Sequence, residues 1–122
     1  MTIKELYEEI GGNYDQAIKI MKFDKLIDRH IRKFTNTVIM DNMKAASETM
    51  DATGMFESAH AMKGVCANLG LVKLSDSASE LAEEFRPGTA RSMSDDEVRA
   101  KVEAIVDMFI TTTDGIRRYA ES

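Results

Sequence analysis

Apolar side chains return at steps of three and four along most of this chain, and a single proline, Pro87, interrupts its 122 residues. That pairing constrains the fold more than any other feature. A period near 3.6 places the apolar residues on one face of a helix, and proline is the residue that cannot continue a helical hydrogen-bond ladder. Strands would show as alternating β-branched and polar residues between turn pairs, and no such run of useful length occurs. The expected fold is therefore all-α.

The helix boundaries are written in local signals. Thr2-Ile3-Lys4-Glu5 has the form of a capping box, in which the Thr and Glu side chains each satisfy a backbone N–H at the helix start. The short helix that follows should stop at Gly11-Gly12, and a second should restart after Asn13 and run from Tyr14 to Met21. Next, Phe23, Leu26, Ile27, His30, Ile31, Phe34 and Val38 form a stripe that predicts one long helix from Asp24 to Thr49. Asp51 can cap a further helix with Ala52, Phe56, Ala59, Met62, Cys66 and Leu69 inward, ended by Gly70. Leu74, Ala78, Leu81, Ala82 and Phe85 mark the helix after it, stopped by Arg86-Pro87-Gly88. A second capping box, Ser94-Asp95-Asp96-Glu97, then opens the last helix, with Val98, Val102, Ile105, Val106, Phe109, Thr113 and Ile116 inward.

Four amphipathic helices joined by short connections bury their stripes by packing antiparallel around a shared core. The expected organisation is one domain over residues 1–122, a helical extension at 1–22 followed by an antiparallel four-helix bundle at 23–122. The acidic pairs Glu8-Glu9, Glu83-Glu84 and Asp95-Asp96 are expected on solvated or capping faces. Met40, Met43, Met50, Met55 and Met62 could line an adaptable docking surface, but methionines on amphipathic helices more often fill gaps in a core, and that is the expectation.

Composition narrows the function. Sixteen Lys and Arg against twenty-one Asp and Glu leave a net charge of -5, so no large positive field awaits a phosphate backbone, and nucleic acid is not an expected partner. Cys66 is the only cysteine, too few for an internal disulfide or a thiolate-rich zinc site. No run approaches the roughly 18 apolar residues that span a bilayer, and the opening Met1-Thr2-Ile3-Lys4-Glu5 lacks an apolar signal core. The expectation is a cytoplasmic protein with no membrane contact.

Two histidines can carry chemistry. His30 falls on an apolar stripe and reads as a core histidine without a function. His60 is offset by one residue from the inward Ala59, which turns it by about 100° toward the outside, where a partner can reach it. Lys63 and Gly64 follow at the third and fourth positions, the helical neighbours of the imidazole. A lysine there can neutralise an anion at the ring, and a mid-helix glycine, which costs stability, leaves the surface beside it bare. Read separately, Lys63 is a solvated lysine and Gly64 a tight packing contact. Glu57-x-x-His60 has the spacing used by di-iron carboxylate bundles, but His30 has Ile27 in place of the second glutamate. Cys66 lies on the buried stripe and does not pair with His60 as a nucleophile. No metal or nucleotide site is expected in the chain.

The run Ala59-His60-Ala61-Met62-Lys63-Gly64-Val65-Cys66-Ala67-Asn68-Leu69-Gly70 resembles the signature of the histidine-containing phosphotransfer (HPt) domain, with Met62 where leucine is usual. Gly11-Gly12-Asn13-Tyr14 is similar to that family's early Gly-Gly-acidic turn, Phe34 falls near its helix end and Asp51 fits its cap, whereas Gly54 departs from the usual good helix former. The resemblance implies the same four-helix bundle and gives His60 the role of accepting a phosphoryl group from a receiver-domain aspartate and handing it to another receiver. Lys63 would stabilise the phosphoryl charge, and Gly64 would leave room for the partner. The implied partners are response-regulator receivers and a hybrid sensor histidine kinase, with Mg²⁺ carried by the receiver. The kinase's own Gly-rich ATP site and the receiver's alternating strands are both missing from the sequence, which leaves a free-standing shuttle or a piece of a larger sensor. The rival reading is a helical-bundle interaction module that binds such partners without passing phosphate.

Overall fold

The computed structural model describes residues 1–122 as seven helices without a strand: α1 Ile3–Ile10, α2 Tyr14–Met21, α3 Asp24–Phe34, α4 Ile39–Thr49, α5 Ala52–Asn68, α6 Val72–Glu84 and α7 Asp95–Glu121. Each of the two expected capping boxes forms in full, at Thr2 with Glu5 and at Ser94 with Glu97. Helices α5 and α6 make an antiparallel hairpin, α4 packs on α5, and α7 closes the bundle against α4 and α6. Twenty-five buried apolar residues, from Ile3 to Ile116, form one contiguous core. Met40, Met43, Met55 and Met62 lie within it, and Met50 packs against it. No helix is long and apolar enough to cross a membrane.

The long helix expected from Asp24 to Thr49 is two helices, α3, which packs on α2 and α7, and α4, which packs on α5 and α7. The break falls at Thr35-Asn36-Thr37, residues whose side chains offer the backbone alternatives to the helical ladder. Thr35 Oγ1 donates to the Arg32 carbonyl at 2.9 Å, and Thr37 Oγ1 accepts from the Ile39 amide at 3.3 Å. The backbone tightens to three-residue bonds from Asn36 to Lys33 and from Thr37 to Phe34. The buried arc of α3 is narrow, centred on Ile27, Ile31 and Phe34. Phe23 and Val38, expected inside, are 65% and 63% exposed, and His30, at the edge of the arc, is exposed rather than a core histidine.

Two further expectations are corrected. The inward stripe of α5 is Met55, Ser58, Ala59, Met62 and Cys66, while Ala52 is exposed and Phe56 only half-buried. Ser58 can be buried because its hydroxyl donates to the Gly54 carbonyl at 2.7 Å. Glu84, expected on a solvated face, is 6% exposed. Its carboxylate accepts from the Met93 amide (2.7 Å), the Ser92 amide (2.9 Å) and the Ser92 hydroxyl (2.8 Å), and Arg91 lies 3.6 Å away. The Met93 amide bond does most to hold this carboxyl below the usual glutamate range, against the opposing effect of burial. Glu84 therefore clasps the α6–α7 loop.

Residues 1–22, expected as an extension, pack into the common core, with Leu6 and Ala17 fully buried and Tyr7 1% exposed. They also close the end of α5, whose last carbonyls have no partner within the helix. Tyr7 Oη donates to the Leu69 carbonyl at 2.6 Å, Gln16 Nε2 to the Ala67 carbonyl at 2.9 Å, and the Asn13 amide to the Gly70 carbonyl at 2.8 Å. Gly70 makes the turn at φ +68°, where a Cβ would stand 2.2 Å from the Asn13 carbonyl oxygen, so only glycine lets the two chain segments meet. Tyr7→Phe keeps the ring but leaves the Leu69 carbonyl unpaired. It should cost about 1–3 kcal/mol in urea unfolding; an unchanged midpoint would mean that water replaces the phenol.

Candidate functional site

Helix α5 starts at Asp51, whose Oδ1 accepts from the Gly54 amide at 3.2 Å. Gly54, the departure noted in the sequence, has a packing reason. A Cβ there would lie 2.8 Å from Asp51 Oδ2 and 3.1 Å from Ala46 Cβ, so a bare backbone lets α4 approach the first turn of α5.

Beyond that turn, the outward face of α5 carries Glu57, His60, Ala61, Gly64, Val65 and Asn68, all exposed. His60 sits mid-helix with its imidazole stacked on Phe56, one turn earlier, at 5.5 Å between centroids and 21° between planes. Stacking on a half-buried ring restricts the imidazole without covering its outer edge. Lys63, half-buried, lies one turn further on, and its backbone carbonyl accepts from Ser75 Oγ of α6 at 3.1 Å. At Gly64 a methyl group would meet no heavy atom within 4 Å. The tight-packing explanation of this glycine therefore fails, and the helix surface beside His60 is open.

The three residues singled out in the sequence thus share one face of one helix. The other candidates do not join them. Cys66 is fully buried, its Sγ 3.5 Å from Met62 Sδ, and burial pushes its thiol up to about 12, out of the range of a nucleophile. Glu57 and His60 both point to solvent rather than into the bundle, and no three His, Cys, Asp or Glu side chains converge as a metal site would require. His30 with Lys33 lines a shallow groove that also includes Val65 and Asn68 of α5, away from the Phe56–His60 stack.

Sequence reasoning missed two features of this site. Phe56 falls on the expected buried stripe, although its position four residues before His60 is the spacing at which two rings on a helix can meet. Glu83, at the end of α6, belongs to an acidic pair expected on a solvated or capping face and is exposed. Hydrogen bonds from Arg86 hold its carboxyl below the usual range, the Arg86 charge adds to the effect, and the charge of Lys63 contributes from α5. No local signal in the sequence joins positions 63 and 83.

The chain matches the family model of the Hpt domain over residues 33–112, a stretch that contains α4, α5 and α6 whole and most of α7. No curated protein and no solved structure matches it.

Proposed function

The chain belongs to the Hpt domain family, and from that premise we propose that it is a phosphorelay carrier whose phosphoryl acceptor is His60. The observation that supports this reading most is the bare surface at Gly64 beside an exposed, stacked imidazole with Lys63 one turn away. A donor receiver would dock over this turn. One ring nitrogen of His60 attacks the phosphorus of the receiver's aspartyl phosphate with its lone pair. The N–P bond forms as the P–O bond to the aspartate breaks, the electron pair of that bond returns to the carboxylate, and the proton stays on the other ring nitrogen. Transfer to a second receiver reverses these steps. Such chemistry needs positioning and charge stabilisation more than covalent work by the protein, so a small helix surface suffices when the receiver brings Mg²⁺. The sensor kinase that loads the first receiver is the other partner in this scheme.

The test is a phosphorylated receiver mixed with this chain in Mg²⁺ without ATP. The label should move to the chain and be acid-labile, as a phosphoramidate is. A chain that binds the receiver and takes no label would be an interaction module instead.

Lys63→Ala should leave the fold within about 1 kcal/mol of the parent, because the half-buried Lys63 forms no ion pair and only the packing of its aliphatic stem is lost. Transfer should slow and the phosphohistidine should decay faster, both partially, since the receiver's own cations share the load. Rapid-quench rates in both directions check this; unchanged rates would reduce Lys63 to a solvated side chain.

A further inference from the structure

Three glutamates end α6, and they point to different places. Glu80 pairs with Lys101 of α7, and Glu84 is turned inward onto the Ser92-Met93 loop. Glu83 takes neither direction. It lies eight residues after Ser75, on the stripe of α6 that runs through Ser79, and Ser75 is the residue whose hydroxyl reaches the Lys63 carbonyl. That stripe therefore faces α5 on the Lys63 side.

Helical side chains tilt toward the N-terminus of their own helix. Since α5 and α6 run antiparallel, Lys63 leans back toward the level of His60, along the direction in which α6 advances to Glu83. Glu83 leans the opposite way, toward Ser79. The Cα positions of Ser75 and Glu83 are separated by about 12 Å of helix rise, a gap that a lysine and a glutamate leaning toward each other largely close. Arg86 grips the same carboxylate from the far side, Nε to Oε2 at 3.1 Å and Nη2 to Oε1. Lys63 stands beyond ion-pair distance of that carboxylate, but its charge still reaches it across the α5–α6 seam, so Glu83 is an anion held by Arg86 within the field of Lys63.

We propose that Glu83 is a positioning residue that competes with the phosphoryl group on His60 for Lys63, and so keeps the phosphohistidine ready to give its phosphoryl group up again. This rests on the reading of His60 as acceptor. A phosphoryl group arriving on the ring brings about 1.5–2 negative charges and draws Lys63 toward itself. Glu83 opposes that pull on the lysine. A carrier must release what it accepts, and an unopposed lysine would deepen the stop at His60.

The test compares the parent, Glu83→Gln, Lys63→Met and the double variant by two measurements. One is the equilibrium partition of label between a receiver and His60. The other is the half-life of phosphohistidine made with phosphoramidate, a small donor that needs no receiver. Glu83→Gln should shift the partition toward His60 and lengthen the half-life by about three- to fivefold, the size of one unit charge acting through a largely aqueous path. In the Lys63→Met background the same change should have little effect. An unchanged partition and half-life in Glu83→Gln overturn the proposal, as does an equal shift with Lys63 absent, which would mean direct repulsion without the lysine. A parent chain that takes label from neither donor overturns the reading of His60 itself along with this inference, whereas normal labelling with no Glu83 effect overturns the inference alone.

Discussion

His60→Gln is expected to abolish acid-labile labelling from a phosphorylated receiver while the chain stays folded. The imidazole is exposed, and its one close partner is the half-buried Phe56 ring, so its loss should change stability by no more than about 0.5 kcal/mol. The side chains that could take its place are few. Cys66 is buried and held as a neutral thiol. His30 is the real competitor, because the structure exposes it and Lys33 follows at the same three-residue spacing. The fourth position after it, however, is Phe34, which is bulky and 3% exposed, where the fourth position after His60 is a bare glycine. His30→Gln should therefore retain full transfer. Labelling that survives His60→Gln and is lost in His30→Gln would move the acceptor to α3.

Gly64 gives the second large effect, and two substitutions there should act in opposite directions. Alanine loses less backbone entropy than glycine in a helix interior, and a methyl group at this position meets nothing within 4 Å. Gly64→Ala should thus raise the stability of the chain by up to about 1 kcal/mol. Gly64→Gln should also fold, since its side chain extends into solvent, but it fills the space one turn from His60 that a receiver must enter and should block transfer. Thermal melting of the first beside a transfer assay on the second checks the pair. A lowered melting temperature in Gly64→Ala with normal transfer in Gly64→Gln would place the docking surface elsewhere. Gly54 provides the contrast, because there a Cβ would press on Asp51 and Ala46, and alanine should destabilise.

The parts of this protein legible in the sequence are those decided within a few residues. The capping boxes at Thr2 and Ser94 and the caps at Asn13 and Asp51 depend on side chains bonding backbone groups three positions away, and the stops at Gly11 and Gly70 on glycine's left-handed backbone with bonds to carbonyls three or four positions back. The helical class follows from them and from the apolar period. His60, Lys63 and Gly64 were legible for the same reason, since positions three and four apart on a helix share a face wherever that helix packs.

What needed the folded chain was everything set by how wide a buried arc is and what stands opposite it. A stripe shows that a face is covered, not where the cover ends. His30 lies outside the buried arc of α3, Val38 lies beyond the break at Thr35-Asn36-Thr37, and Phe56 stacks on His60 at the edge of the core. Glu84 went inside because a loop eight and nine residues further on supplied three donors. Most helix ends and the shared face of His60, Lys63 and Gly64 follow from the sequence alone, because short-range hydrogen bonds and helical spacing do not depend on neighbours. That residues 1–22 cap the site helix was settled by the packed helices alone, because those contacts join positions 51 to 62 residues apart.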